Sequence, residues 1–169
     1  NYPLGKPDLY AAFLLRGLEL AKQGGISTML TMRNWMFLKQ YAGLREHLIG
    51  HYSLAAIGDF DRGAFEGIPD EVVSVGASII SRRKPSSDQL SQAHCPTPRE
   101  DTSRDSARTD RKRSATLAQE GLCKFRISGL KAVPEWPLVY WLQKHELLLF
   151  TGNPSVGSEG AALQGISTA

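Results

Sequence analysis

ISTMLTMRNWMFLKQYAGLREHLIGHY, residues 26–52, opens on a short apolar run bounded by Gly24–Gly25, which reads as a buried strand over 26–32. Asn34 then stands where a helix N-cap is expected. Trp35, Leu38, Tyr41, Leu44, Leu48 and Ile49 mark the apolar positions of a helix over residues 35–50. Upstream, DLYAAFLLRGLELAKQGG begins with Asp8 as N-cap after Pro7 and carries Leu9, Phe13, Leu14, Gly17, Leu18 and Ala21 on one broad face. Gly24–Gly25 supplies its stop. Downstream, SLAAIGDF (53–60) and EVVSVGASII (71–80) are two further strands, separated by the loop DRGAFEGIP. Helix, strand, helix, strand, loop, strand is the order of an α/β sheet with helices on its faces. Apolar strands flanked in this way usually run parallel.

Beyond Ile80 the composition changes. Residues 81–121 are rich in Ser, Thr, Pro and charge and poor in large apolar side chains. They offer too little apolar surface to offset the entropy of ordering, and read as a flexible basic linker or variable loop. Within it, residues 81–113 hold nine Lys/Arg against five Asp/Glu, so the whole-chain net charge of +3 is concentrated there. A local basic excess favours a polyanionic partner, although the interspersed acids weaken that reading. Order resumes with CKFRISGL as a candidate strand and PLVYWLQKHELLLF (137–150) as a short helical segment with Pro137 in its first turn. The Gly-rich tail and the absence of internal repeats complete a three-part division at 1–80, 81–121 and 122–169.

The 169 residues suit one domain with a core of its own. No apolar run reaches the length of about 18 residues that spanning a bilayer requires, so no membrane partner and a cytoplasmic location are expected. Cys95 and Cys123 have no metal-like spacing and read as free thiols of a reducing compartment. The opening NYPLGKPDLY lacks both an initiator Met and a signal peptide, the expected look of a chain beginning inside a longer protein.

Few residues suggest chemistry. Neither G-x-G-x-x-G nor the P-loop pattern marks a phosphate-binding loop after the first helix. His47 and His51 share a helix face but have no general-base Glu between them, so surface or half-buried histidines are expected rather than a metal site. Asp59 and Asp61 flank Phe60 at a strand end, placed for metal or base chemistry or for the turn's own hydrogen bonds. Arg33, Asn34 and Trp35 emerge where a parallel strand would end, the edge at which open α/β sheets bind ligands. An Arg there suits phosphate and an aromatic suits a base; helix capping by Asn34 and core packing by Trp35 is the competing reading.

Three stretches resemble the later half of the catalytic domain of adenine-specific DNA methyltransferases. They are the Asp8-Leu9-Tyr10 helix start with FLLRGLELAK, the unit GGISTMLTMRNWMFLKQYAGLREHL, and GAFEG…EVVSV. The likeness is nearest to the BREX-type phage-defence and restriction–modification class. GLKAVPEWPLVYWL resembles the segment that joins this domain to a target-recognition region. The resemblance implies a partial Rossmann-like methyltransferase sheet, S-adenosylmethionine as cofactor, double-stranded DNA as partner, and other defence-system subunits as further partners. It implies methyl transfer to N6 of an adenine taken out of the duplex. The family's Gly-rich cofactor loop and its Asn-Pro-Pro-Tyr-type motif do not occur in these residues, so the expectation is an inactive, poorly stable fragment with no catalytic or cofactor residue of its own. Its DNA-contacting candidates are Arg33, Asn34, Trp35, Arg62, Phe65, Arg82, Arg83 and Lys84, with Phe65 suited to holding the flipped base. A non-catalytic DNA-binding module and an unrelated α/β enzyme are the alternatives.

Overall fold

A computed structural model describes residues 2–65, 73–97 and 107–154. Helix α1 (Leu9–Leu20) starts on the Asp8 carboxylate, which accepts from the Tyr10 amide, and buries Ala11, Leu14, Leu15 and Leu18. Its last carbonyls, those of Glu19 and Ala21, accept from the Arg82 guanidinium, the cation-at-C-terminus arrangement. Strand β1 (Ile26–Met32) follows as expected.

The next segment departs from expectation. In place of one helix over 35–50, two 3₁₀ turns (Arg33–Met36 and Lys39–Tyr41) precede α2 (Ala42–His51). Asn34 does not cap a helix with its side chain; its carbonyl accepts from the amides of Phe37 and Leu38. Arg45, 0% exposed on α2, explains the break. Its guanidinium donates to the carbonyls of Trp35 and Leu38, groups that a continuous helix would have used internally, and to that of Glu135, distant in sequence.

Strands β2 (Ser53–Asp61), β3 (Val75–Ser81), β4 (Leu90–His94) and β5 (Leu122–Arg126) complete a five-stranded sheet in the order β1-β3-β2-β4-β5. The expected all-parallel arrangement is corrected here. β3 is antiparallel to both β1 and β2, β4 is parallel to β2, and β5 is antiparallel to β4. β1, β2 and β4 therefore share one direction. The link from β2 to β3 has the loop composition read from the sequence, and antiparallel pairing needs no crossover connection.

Residues 81–121 are likewise not simply a linker. They contribute β4 and helix α3 (Arg108–Leu117), while residues 98–106 lie outside the described part. The helix expected over 137–150 is also displaced. A short helix α4 (Ile127–Leu130) leads into an irregular strap, and α5 (Lys144–Gly152) begins later, on a capping box of Gln143 and Glu146.

One face of the sheet carries the core. Ile80, Leu54, Ile57, Ala93 and Phe125 pack there with Leu14, Leu18, Trp35, Met36, Leu44 and Leu48. On the other face Ile26, Leu30, Ile79, Leu90 and Leu122 are exposed. Among the described residues no helix is long and apolar enough to cross a membrane.

Candidate functional site at the carboxyl edge of the sheet

β1, β2 and β4 end on one edge, at Met32, Asp61 and His94, and β3 begins there at Val75. Arg33 turns off β1 at this edge with its amide on the Ser74 carbonyl at 2.9 Å. It lies so close to β3 that a Cβ on Gly76 would meet Arg33 Cβ at 3.2 Å and Met36 Sδ at 3.1 Å. Position 76 thus lets the arginine backbone approach the sheet.

The Arg33 guanidinium bridges two carboxylates, with Nη2 3.0 Å from Asp59 Oδ2 and Nη1 2.8 Å from Asp61 Oδ1. The Phe37 ring lies below it, 4.8 Å away. A register shift between Asp59 and Asp61 marks a bulge in β2, and Asp61 takes a left-handed backbone, φ 51°. Strand-end bulges re-aim side chains, and here both carboxylates reach one guanidinium.

The two acids differ in environment. Asp59 is 2% exposed. The Tyr140 hydroxyl donates to its Oδ2 at 2.8 Å, while Oδ1 has no hydrogen-bond partner among the described residues. Burial raises the Asp59 pKa against the opposing pull of Arg33 and Tyr140. For Asp61 burial is again the largest influence. The Ser74 hydroxyl, donating at 2.8 Å, and Arg33 together outweigh it and leave the pKa below the ordinary value. Burial and then the neighbouring Asp59 charge push the Tyr140 phenol upward, so it remains a donor.

Helix α3 fastens the corner that follows. Lys112 Nζ donates to the carbonyls of Phe60 and Arg62. Thr109 donates to the Gly63 carbonyl at 3.0 Å, and Arg108 approaches Asp61 Oδ2 to 3.8 Å. Two of the basic residues read as linker charge are thereby buried against backbone and carboxylate, Arg108 at 6% and Lys112 at 5% exposure. Beyond the clamp Phe65, 40% exposed, borders an apolar cavity of about 330 Å³ with Leu30, Phe60, Val75 and Leu117.

The candidates read from the sequence thus separate into groups. Arg33, Asn34, Arg62 and Phe65 lie at the carboxyl edge, with Arg62 and Phe65 exposed. Trp35 is 1% exposed, its ring in the core. Arg82, Arg83 and Lys84 follow β3, whose reversed direction places them at the opposite edge. Sequence reasoning missed Tyr140, Ser74, Thr109, Lys112 and Arg45. Only Arg45 left a signal: it stands four residues after Tyr41 on the apolar face of α2, where a buried cation needs fixed acceptors. His47 and His51 stack with ring centroids 4.6 Å apart, and among the described residues no cluster of three or more His, Cys, Asp or Glu is arranged for a metal.

Residues 1–65 match the model of the Eco57I restriction-modification methylase family. The chain is 28% identical over 152 residues to the adenine-specific methyltransferase PglX of Lacticaseibacillus casei (strain Zhang), an alignment covering 88% of this chain and 12% of the relative. It is 25% identical over 174 residues to the adenine-specific methyltransferase BrxX of Escherichia coli O9:H4 (strain HS), covering 99% of this chain and 13% of the relative. The chain therefore spans about an eighth of the length of these curated relatives. A structure of a type I restriction–modification system superposes with a TM-score of 0.55 at 13% identity, over 77% of this chain and 31% of that one. That likeness is one of fold, and it agrees with a partial methyltransferase sheet.

Proposed function

We propose that this chain, related by sequence to the adenine-specific DNA methyltransferases of restriction–modification and BREX type, is the part of such an enzyme that walls its target-base pocket. The observation that carries this reading is the Phe65 corner. An aromatic ring is held half-exposed just beyond the carboxyl edge of the sheet, on backbone pinned at Phe60, Arg62 and Gly63 by α3. Ligands of open α/β sheets bind at that edge, and an adenine must leave the duplex for its N6 to be reached. Phe65 would stack the extruded base, and the exposed Arg62 would meet backbone phosphate.

Arg33 and Asn34 lie at the same edge, just after β1, and Trp35 packs in the core behind them, with no part in the cavity that Phe65 lines. Arg33 acts through Asp59 and Asp61, which neutralise it, so its proposed role is to hold that edge in shape. A direct phosphate contact by Arg33 would require it to exchange those partners.

S-adenosylmethionine finds few open acceptors at this edge, and Asp59 Oδ1, although without a hydrogen-bond partner among the described residues, is buried. Asp59 Oδ2 accepts from Tyr140, and Asp61 Oδ1 from Ser74 and Arg33. This reading assigns cofactor binding and orientation of the N6 amine to the portions of the relatives that this chain does not align with. Other subunits are further proposed partners, since the superposed type I structure concerns complex assembly.

The test is methyl transfer by the polypeptide that carries this segment, with duplex DNA and labelled S-adenosylmethionine. Phe65→Ala should lower kcat/KM about 10- to 100-fold, from a stacking contribution of about 1–3 kcal/mol per base. Phe65→Trp should retain most of the activity. Equal activity of Phe65→Ala and the parent would remove the proposed role, and absence of any methyl transfer to DNA would remove the reading.

A further inference from the structure

We infer a second, separate polyanion site at the opposite edge of the sheet, where Arg83, Lys84 and Lys124 line one cavity of about 540 Å³ that takes a phosphate group. The antiparallel course of β3 carries Arg83 and Lys84 away from the carboxyl edge, to the edge where β2 begins at Ser53 and β4 at Leu90. On the exposed face Lys124 of β5 is the register partner of Gln92 of β4. Ser53, Ser86 and Gln92 add hydroxyl and amide donors to the same cavity, while the Gln89 amide donates to the Leu54 carbonyl and the Ser91 hydroxyl.

Four cations at other places in the fold are spent internally. Arg33 lies on two carboxylates, Arg45 on three carbonyls, Arg82 on the end of α1, and Lys112 on two carbonyls. Arg83, Lys84 and Lys124 differ: among the described residues none has an ion pair, and all three are exposed. No carboxylate lines their cavity, although Asp88 stands in the neighbouring turn. Three like charges converging without a counter-ion are relieved by an anion, and the volume suits small polar groups. The shared chemistry is a phosphate oxyanion, from the phosphodiester backbone of DNA or from a free polyphosphate. The site does not depend on methyl transfer.

The test uses the full chain with two probes, a duplex DNA oligonucleotide followed by fluorescence anisotropy across a salt series, and pyrophosphate followed by calorimetry. Arg83→Gln, Lys84→Gln and Lys124→Gln alter exposed side chains, and Lys144→Gln on α5 removes an equal charge elsewhere. For a backbone source, each notch variant lowers the slope of log K against log salt by about 0.9 for every phosphate it no longer neutralises, while Lys144→Gln leaves it unchanged. For a free-phosphate source, pyrophosphate binds and each notch variant weakens it, without a matching change for DNA. Failure of both probes to bind overturns the proposal, and so does binding that the notch variants and Lys144→Gln reduce equally. Methyl-transfer activity of the parent polypeptide is read separately, so loss of the enzymatic reading leaves the notch result standing.

Discussion

Arg33 sits between two carboxylates whose pKa values move in opposite directions, and this makes it the most informative single residue. Asp61, held low, contributes stability that is present above the unfolded carboxylate pKa and lost as pH falls through its folded value. Asp59, raised by burial, does the reverse: as pH falls through its folded value, protonation relieves the buried charge and adds stability. Arg33→Met leaves Asp59, 3% exposed at the side chain, with the Tyr140 hydroxyl and no bridging guanidinium. A loss of about 3 kcal/mol at neutral pH is expected, the low end for breaking a buried pair, because Arg33 itself is partly exposed. The variant should regain part of that loss as pH is lowered from 7.5 to 5.5, gaining more than the parent, because Arg33 no longer opposes the rise of the Asp59 pKa. Urea denaturation across that range checks the sign. A variant whose deficit is constant with pH would show that Asp59 does not carry the penalty. Asp59 and Asp61 were visible in the sequence as a strand-end pair, but not their division of labour. That depends on Tyr140 and Ser74, which come from distant elements and leave no local pattern.

Helix α3 acts on the same corner as an element, through Lys112 and Thr109. Lys112→Met keeps the aliphatic stem but withdraws the donor from the carbonyls of Phe60 and Arg62. The expected cost is about 1–3 kcal/mol, that of leaving buried acceptors unsatisfied. Amide exchange should quicken at residues 61–65 in preference to β5, and uniform quickening would instead mean global destabilisation. Neither α3 nor β4 was legible in the sequence, for a physical reason. RTDRKRSATL buries Arg108, Lys112 and Ala115 rather than a stripe of large apolar residues, so its inward face looks solvated. β4 buries Ser91 and Ala93, small side chains that carry little hydrophobic signal, between exposed Leu90 and Gln92. By contrast α1, β1, β2 and β5 announced themselves through periodicity and Gly boundaries. The broken helix after β1 was hidden because the place of Arg45 on the apolar face of α2 signals burial but does not name its acceptors, the carbonyls of Trp35, Leu38 and Glu135. Arg45→Met should therefore be among the most damaging substitutions, about 3 kcal/mol or more, since it withdraws the donor from the carbonyls of Trp35 and Glu135 and leaves Leu38 with the Tyr41 amide alone. Thermal denaturation of this variant beside Lys112→Met would rank the two.

At the scale of the whole molecule, the sheet carries its core on one side, while on the other α3 covers only the corner at Phe60 and Val75 and leaves apolar residues exposed. Ile26 is 65% exposed, Leu30 56%, Leu90 51%, Leu122 47% and Ile79 37%. These residues line one face across β1, β3, β4 and β5, and β1 is in addition an edge strand. An α/β sheet with parallel strands ordinarily buries both faces, and exposed apolar residues next to an unpaired edge favour self-association. The purified chain should therefore bind a hydrophobic dye in its native state and sediment with concentration-dependent mass. Thr28 and Ile79 are register partners on this face, and Leu30 opposes Ala77 beside them. Replacing Leu30 and Ile79 together by Lys should suppress both behaviours at little cost to the core, which lies on the opposite face. If the double variant associates as the parent does, the open face is not the cause. The contact must then be sought at the apolar side of α5, where Leu148, Leu149 and Phe150 are also exposed. A parent that is monomeric, free of dye binding and cooperative in its melting would mean that the core on one side of the sheet, with Arg33 and Arg45 as its polar anchors, suffices to hold the fold.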